Sequence, residues 1–193
     1  LYFVVGNHDL RSLNNENELL EILNYDNLTF SIDVNNYHLV FLGLNINNNL
    51  ENNDGGINRT NTIYEKDLKW LKYDLNNTKL PILMFCHYGI AEDNMNGNWW
   101  FSKDSERALL KNRKQIKEII KKHNVLAIFS GHQHWTKKIN EDNLDYYNCV
   151  VNEMLSEDVI EVVTKYNGGY IGMIEKDEAS GGYKATIRDK ILN

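Results

Sequence analysis

The chain has 193 residues, of which 42% are hydrophobic and 25% are charged, and its formal net charge is −6. This composition is typical of a globular protein with one core, and it excludes a disordered tail, a coiled-coil rod and a disulfide-stapled mini-protein. No apolar stretch approaches the roughly 18 residues that cross a bilayer, so we expect no membrane segment. An acidic chain without a basic stripe is a poor candidate for binding nucleic-acid polymers, because phosphate neutralisation requires clustered Lys and Arg.

The cysteines and the first residues indicate the redox compartment of the protein and the extent of its N-terminal part. Cys86 and Cys149 match no CxxC spacing and provide no disulfide framework, which favours a reducing compartment. The chain begins without Met on a strand-like run at residues 1–5. We therefore expect its N-terminal part to be absent, so that a targeting region would not be visible.

The hydrophobic pattern predicts alternating strands and helices over most of the chain. We expect, in order, a strand at 1–5, a helix at 17–23, strands at 29–34 and 38–44 around an Asn35-Asn36 turn, and a polar loop at 45–61. A helix at 64–75, a buried strand at 80–86, an irregular loop at 90–102, the longest helix at 104–123 and a buried strand at 125–129 follow.

The remainder of the chain is mostly β-like. Apolar runs occur at 146–151, 159–163, 170–174 and 183–187, and the last two flank turn residues at 179–182. This order of elements predicts one α/β domain over residues 1–193, with a mixed sheet.

Histidine follows a predicted apolar strand in three loops. The loops are Gly6-Asn7-His8-Asp9, Cys86-His87-Tyr88-Gly89 and Gly131-His132-Gln133-His134. Sites in open α/β sheets lie beyond the carboxyl ends of strands, so we expect these loops to meet. A His-x-His pair can reach one metal ion or two adjacent ones, and Asn, His and Asp suit divalent ions of the Mn, Fe and Zn kind.

In this order, Gly-Asn-His-Asp, a strand-end His and Gly-His-x-His resemble the motifs of the calcineurin-like metallophosphoesterase superfamily. The resemblance covers essentially the whole chain and implies a four-layer α/β/β/α sandwich with mixed sheets. Two further family motifs, Asp-x-His and Gly-Asp-x-x-Asp, do not occur in the sequence. We interpret the chain as an N-terminally truncated metallophosphoesterase domain that lacks the bridging aspartate, and we expect this fragment alone to be inactive.

The resemblance also implies two divalent metal ions, of Mn, Fe or Zn. Asn7, His87 and His132 would bind one of them, and His134 would bind the other. Two such ions about 3.5–4 Å apart can clamp phosphoryl oxygens and generate a bridging hydroxide at neutral pH. The implied function is hydrolysis of phosphoesters, as a phosphatase or a phosphodiesterase.

His8 and Asp9 receive the catalytic roles from the same resemblance. His8 would face the scissile phosphate and help to protonate the leaving oxygen, because imidazole can both donate a proton and carry positive charge beside the transition state. Asp9 would orient His8 and set its tautomer through a hydrogen bond.

Aromatic side chains near these motifs have two interpretations. Trp99 and Trp100 either fold over the core with Phe101, or form a substrate wall that stacks on a base or an aryl group. Tyr88 has the same two interpretations. The second would give a small, nucleotide-like phosphoester as the substrate.

Two other functions remain open from the sequence. Some relatives of this fold lose metal ligands and act as protein-binding scaffolds, and others are nucleases. The missing upstream motifs leave the scaffold open, whereas the net charge of −6 argues against a nuclease.

Overall fold

The computed structural model describes residues 2–7, 9, 16–44, 46–47, 58–59 and 61–149, and strand residues 165–166, 169–170, 173–176 and 183–186. The chain divides into two compact units. One spans Phe3–Val150, and the other consists of Leu1–Tyr2 and Val151–Asn193. No helix in the described ranges is long and apolar enough to cross a membrane.

The larger unit alternates helices and strands. Its elements are α1 (Glu16–Leu23), β1 (Phe30–Val34), β2 (Tyr37–Leu42), β3 (Ile46–Asn47), β4 (Asn58–Arg59), α2 (Glu65–Asn77), β5 (Ile82–Cys86), a 3-10 turn (Ser105–Ala108), α3 (Arg113–Ile120), β6 (Val125–Ser130), β7 (Lys137–Glu141) and β8 (Leu144–Asn148). The predicted mixed α/β class is confirmed.

Six strands form one mixed sheet in the order β1-β2-β5-β6-β8-β7. The pairs β2/β5, β5/β6 and β6/β8 are parallel, whereas the edge strands β1 and β7 pair antiparallel to their neighbours. The four parallel strands therefore end at the same edge of the sheet. This edge is where ligand-binding loops gather in α/β folds.

The two faces of the sheet differ because side chains alternate along each strand. One face packs on the apolar sides of α2 and α3, in a core that includes Leu71, Met84 and Ile116. The other face carries a row of stacked rings across five strands, with neighbouring centroids 4.8–5.3 Å apart, formed by Phe30, Phe41, Phe85, Phe129 and Tyr147. These cross-strand contacts explain the apolar runs of the central strands.

The predicted long helix at 104–123 is wrong. The chain forms the short 3-10 turn, becomes extended at Leu109, and resumes as α3 only at Arg113. Gly89 interrupts the helix, because its carbonyl accepts from Leu110 N at 2.9 Å and its own N donates to the Ala108 carbonyl at 3.1 Å. Long-range backbone pairing thus overrides the local helical periodicity.

The predicted strand at 1–5 is also wrong over its described part. Residues 2–6 have no regular secondary structure. Phe3 N donates to the Tyr25 hydroxyl at 2.8 Å, and Val5 packs with Leu19 and Leu28. Of the described residues of this apolar run only Val5 is buried, whereas Tyr2 and Phe3 are about half exposed, so the run marks one core contact and not pairing in a sheet.

Short β-pairings account for the other differences. The β7–β8 hairpin turns at Asp142 and Asn143, which have φ angles of 54° and 62°, as a two-residue primed turn requires. The predicted Asn35-Asn36 turn has the same left-handed geometry and is confirmed. Within the predicted loop 45–61, β3 pairs with β4, a two-residue ladder too short to show a period in the sequence.

The second unit contains two antiparallel ladders. The strands β9 (Lys165–Tyr166) and β10 (Gly169–Tyr170) form one, and β11 (Met173–Lys176) and β12 (Tyr183–Thr186) form the other. In the second ladder, Met173 and Ile174 of the run at 170–174 pair with the run at 183–187, whereas Tyr170 pairs with Lys165 in the first ladder. The predicted strand at 159–163 and the turn at 179–182 lie outside the described residues, and the single-domain extent 1–193 stays a prediction.

His38 is buried at the start of β2, between two carboxylates. Its Nδ1 lies 2.6 Å from Asp33 Oδ1, and its Nε2 lies 2.8 Å from Asp74 Oδ2. Burial alone would lower the pKa of His38, but the hydrogen bonds and charges of Asp74 and Asp33 outweigh it and raise the pKa above its ordinary 6.5. The imidazolium therefore links β1, β2 and α2.

Because the folded-state pKa of His38 is raised, its contribution to stability is complete below about pH 6.5, the unfolded value, and is lost as pH rises through the folded value. We expect the wild-type Tm to fall over this range, and the fall to be smaller in His38→Gln. Thermal melts from pH 5.5 to 9 measure this difference, with His123→Gln as the control. Equal pH slopes in wild type and His38→Gln would contradict the assignment.

Candidate metal centre

Three predicted ligands meet at the sheet edge where β5 and β6 end. Asn7 Oδ1 lies 2.8 Å from His87 Nε2 and 3.2 Å from His132 Nδ1. The two imidazole centroids are 5.0 Å apart. Residues from three separate segments thus present one oxygen and two nitrogens toward each other. His87 and His132 follow β5 and β6, whereas Asn7 follows residues 2–6, which have no regular secondary structure.

The tautomer of His132 suits a ligand. Its Nε2 lies 3.2 Å from the Arg107 carbonyl, which can only accept a hydrogen bond. With the proton on Nε2, the Nδ1 lone pair faces the Asn7 carbonyl oxygen, so two acceptors oppose each other. A shared cation satisfies this arrangement, and a backbone carbonyl on the far nitrogen is the usual partner of a metal-bound imidazole.

The two distances from Asn7 Oδ1 to the histidine nitrogens are also compatible with one divalent ion. With metal–ligand bonds of about 2.1 Å, two ligands of the same ion lie about 3.0–3.4 Å apart. The observed 2.8 Å and 3.2 Å are close to this range. The set of Asn7, His87 and His132 therefore fits a divalent metal ion of the borderline kind.

Glycine is required beside His87. A Cβ on Gly6 would lie 2.7 Å from His87 Cε1, a separation that real Cβ atoms do not show, whereas a Cβ on Gly131 would lie 3.7 Å from His87 Nδ1. Gly131 N also donates to the His87 carbonyl at 3.0 Å. The imidazole thus packs directly on the Gly6 backbone, which a side chain at residue 6 would prevent.

Two buried rings support His132. The Tyr88 centroid lies 4.0 Å and the Phe101 centroid 5.1 Å from the His132 imidazole, and each of these two residues is only 6% exposed. Tyr88 also belongs to the main core. Because Tyr88 is only 6% exposed, little of its surface is available to a substrate. Packing in the core and against His132 therefore accounts for its position better than the predicted contact with a substrate.

His134 lies apart from the three converging ligands. It is exposed, and its imidazole centroid is 5.6 Å from that of Trp100 and 6.3 Å from that of Phe101. In the described part of the chain, no hydrogen bond joins it to Asn7 or His87. His132 and His134 both adopt left-handed backbone conformations, with φ angles of 66° and 56°.

The catalytic pair from the sequence is only partly described. Asp9 is exposed, and its Oδ2 accepts a hydrogen bond from Gly6 N at 2.7 Å, which closes the first loop. His8 lies outside the described residues. The roles assigned to His8, and to Asp9 as its partner, therefore stay predictions.

The donor set at this edge carries no negative charge. Over the ranges that the structure describes, no group of three or more His, Cys, Asp and Glu residues could hold a metal ion. Burial raises the pKa of the Cys86 thiol to about 12 and that of Cys149 to about 11, so both stay protonated at neutral pH. The second metal ion of the predicted pair stays a prediction.

The two tryptophans point to solvent. Trp99 is 75% exposed and Trp100 is 51% exposed, and their ring centroids lie 4.0 Å apart. Only Phe101 of this aromatic run is buried. The interpretation that both indoles fold over the core is therefore wrong.

An ion-pair network supports the loop between β5 and α3, and the sequence analysis missed it. The guanidinium of Arg113 is buried and binds both Glu92 and Glu106 in a bidentate manner, at N–O distances of 2.8–3.0 Å. Hydrogen bonds from Arg113 lower the pKa of Glu92. No local spacing predicts these pairs, because Glu92 and Arg113 lie 21 residues apart.

Comparisons with known proteins show the family and the fold of the chain. The sequence model of the calcineurin-like phosphoesterase family matches residues 1–136. Among solved structures, the chain is similar to a dimetal phosphatase from Danio rerio, with a TM-score of 0.53 and 15% identity, over 76% of this chain and 59% of that chain. At 15% sequence identity, this similarity shows a shared fold and nothing about function. No curated protein matches the chain.

The contact between Gly6 and His87 gives a direct test of the site. We expect Gly6→Ala to displace the His87 imidazole, because the new Cβ would lie 2.7 Å from it, and to weaken Mn²⁺ binding by about 10- to 100-fold. Gly131→Ala is the matched control and should change affinity by less than about twofold. Calorimetric titration with Mn²⁺ and imidazole NMR spectra measure both effects. Equal affinities in the two variants would contradict this geometry.

Proposed function

Because this chain belongs to the calcineurin-like phosphoesterase family, we propose that it is a metal-dependent hydrolase of phosphoesters, a phosphatase or a phosphodiesterase. The observation that carries this proposal is the convergence of His87 and His132 on the Asn7 side-chain oxygen. These three residues come from the family's motifs and fit one divalent ion. The dinuclear centre, with His134 as a ligand of the other ion, is part of the proposal.

The ligand types suit a phosphoester substrate. Divalent ions of Mn, Fe or Zn would supply Lewis acidity that offsets the phosphoryl charge and activates water for in-line attack. Asn7 contributes an oxygen without a further negative charge beside the phosphate. The Arg107 carbonyl, 3.2 Å from His132 Nε2, would favour the tautomer with its proton on Nε2, which leaves the Nδ1 lone pair for a metal ion.

Proton transfer to the leaving group is assigned to His8 in this proposal. An imidazole beside the scissile bond donates a proton to the leaving oxygen, and such a general acid contributes about 10²–10⁴-fold to the rate. Asp9 lies next to it in the sequence, and its carboxylate already accepts from the backbone of the same loop at Gly6. The hydrogen bond from Gly6 N would hold the Asp9 carboxylate in place, and this carboxylate would then orient His8.

The histidine substitutions separate metal binding from proton transfer. In the full-length protein, we expect His87→Ala and His132→Ala to lose both bound metal and activity. His8→Ala should keep the metal and lose about 10²–10⁴-fold in kcat. Metal content by mass spectrometry and hydrolysis of p-nitrophenyl phosphate with Mn²⁺ are measured in parallel. His123→Ala, at the end of α3, serves as the histidine control.

Each outcome of this experiment bears on the proposal. Loss of metal in His8→Ala to the same degree as in His87→Ala would contradict the role of His8. Wild-type protein that binds metal but hydrolyses no phosphoester would contradict the enzyme and favour a protein-binding scaffold. Cleavage of DNA that weakens steeply with salt would favour a nuclease.

The exposed indoles support a nucleotide-like substrate within this proposal. The metal ions and His8 would contact only the phosphoryl group, which all candidate substrates share, so discrimination must come from surrounding loops. Trp99 and Trp100 are exposed, and Trp100 lies beside His134. A flat base can stack on such a ring.

We therefore expect Trp99→Ala and Trp100→Ala to raise KM for a nucleoside monophosphate. Base–aromatic stacking contributes roughly 1–3 kcal/mol, or about 5- to 140-fold in KM. The kcat for p-nitrophenyl phosphate and the Tm should barely change, because both indoles are exposed. Tyr73→Ala, which removes a 70% exposed ring from α2, is the control. A Tm several degrees lower with unchanged KM would contradict the substrate wall.

A further inference from the structure

We infer that Asn98 is a positioning residue that couples two segments of the candidate site, the tryptophan turn (residues 98–101) and the histidine loop (residues 131–135). The tryptophan turn carries the proposed substrate wall, and the histidine loop carries two proposed metal ligands. This inference rests on the proposed function for its catalytic consequence, but the coupling itself is a property of the metal-free protein.

The Asn98 side chain bonds to both segments at once. It is 3% exposed, and its Oδ1 accepts hydrogen bonds from Trp100 N at 2.9 Å and Phe101 N at 3.0 Å. Its Nδ2 donates to the Gln133 carbonyl at 2.6 Å. The oxygen of this buried amide therefore closes the tryptophan turn, and its nitrogen donates to the histidine loop.

The bond to Gln133 is made at a critical point of the histidine loop. Gln133 lies between His132 and His134, whose left-handed conformations L-residues rarely adopt without support from their surroundings. On the far side of His134, Asn148 Nδ2 donates to the Trp135 carbonyl at 2.7 Å. Two buried asparagines thus hold the carbonyls on either side of His134.

The same amide sets the place of the aromatic rings. Because Asn98 fixes the backbone of residues 100 and 101, it brings the Phe101 ring to 5.1 Å from His132 and the Trp100 ring to 5.6 Å from His134. The backbone of Asn98 is anchored as well, since its N donates to the Met95 carbonyl at 2.9 Å and its carbonyl accepts from Ser102 N at 3.0 Å. Movement of the turn and movement of the loop are therefore linked.

A near-isosteric substitution isolates the coupling. Asn98→Asp keeps an acceptor for Trp100 N and Phe101 N but replaces the donor with a carboxylate oxygen, which faces the Gln133 carbonyl without a proton. Asn98→Ala removes both bonds. The matched control is Asn94→Asp on the same loop, whose exposed side chain accepts only from Asn96 N at 2.9 Å.

Three measurements test the inference. NMR spectra of the metal-free protein report the imidazoles of His132 and His134 and the indole of Trp100. Calorimetry reports Mn²⁺ affinity, and kinetics with Mn²⁺ report kcat and KM for adenosine monophosphate and p-nitrophenyl phosphate. In wild type, slow hydrogen exchange of the Asn98 side-chain amide gives a further readout that needs no variant.

We expect Asn98→Asp to shift both the imidazole and the indole resonances and to lower kcat/KM for adenosine monophosphate by about 10- to 100-fold, because small misplacements of reacting groups have effects of this size. The loss should be smaller for p-nitrophenyl phosphate, and Asn94→Asp should behave as wild type. A folded Asn98→Asp with unchanged His132 and His134 resonances, or fast exchange of the Asn98 amide in wild type, would overturn the inference. Absence of hydrolysis in the full-length wild-type protein would overturn the proposed function instead, while the NMR result still decides the coupling.

Discussion

Parallel pairing of β5 with β6 is the constraint on which the site depends. Cys86 lies opposite Ser130 in this pairing, so both strands end in register at one edge of the sheet. His87 and Gly131 then leave the sheet as neighbours, joined by the hydrogen bond from Gly131 N to the His87 carbonyl. Since the strands are buried, a slip in register would move core side chains to the wrong face, which makes the register costly to change.

The loops at this edge are ordered by their own packing. Between β5 and α3, Met95, Phe101, Ala108 and Leu109 form a small core of their own with Trp135. Arg113 binds Glu92 and Glu106 at the two ends of the same segment. This long irregular loop thus gains fixed anchor points, at 21 residues from Arg113 for Glu92 and at 7 residues for Glu106.

Aromatic rings and backbone groups in the described part of the chain contact the three candidate ligands. Tyr88 and Phe101 pack on the His132 imidazole, Gly6 lies under His87, and the Arg107 carbonyl directs the second nitrogen of His132. These contacts orient two imidazoles and an amide toward one another.

Much of the fold and the composition of the site could be predicted from the sequence. The helical spacing of Leu68, Leu71 and Leu75 predicts α2, and the Asn35-Asn36 pair predicts the first hairpin. The continuous apolar run before His87 predicts a buried central strand. The placement of His87 and His132 after apolar runs predicts that they meet, because parallel strands share one carboxyl edge. Asn7 follows residues 2–6, which form no strand, so this argument does not account for its place beside them.

Local patterns failed where long-range contacts compete with them. The helical period of residues 104–123 is real, but the backbone pairing of Gly89 with Ala108 and Leu110 breaks the helix. The exposure of Trp99 and Trp100, the burial of Tyr88 and the two-sided bonding of Asn98 likewise depend on partners distant in the chain. The sequence by itself determined which residue types follow which strands, because periodicity and turn chemistry act over a few residues. Only the tertiary structure decided which of them face each other, because side-chain burial and hydrogen-bond partners are set by elements that meet across the sheet.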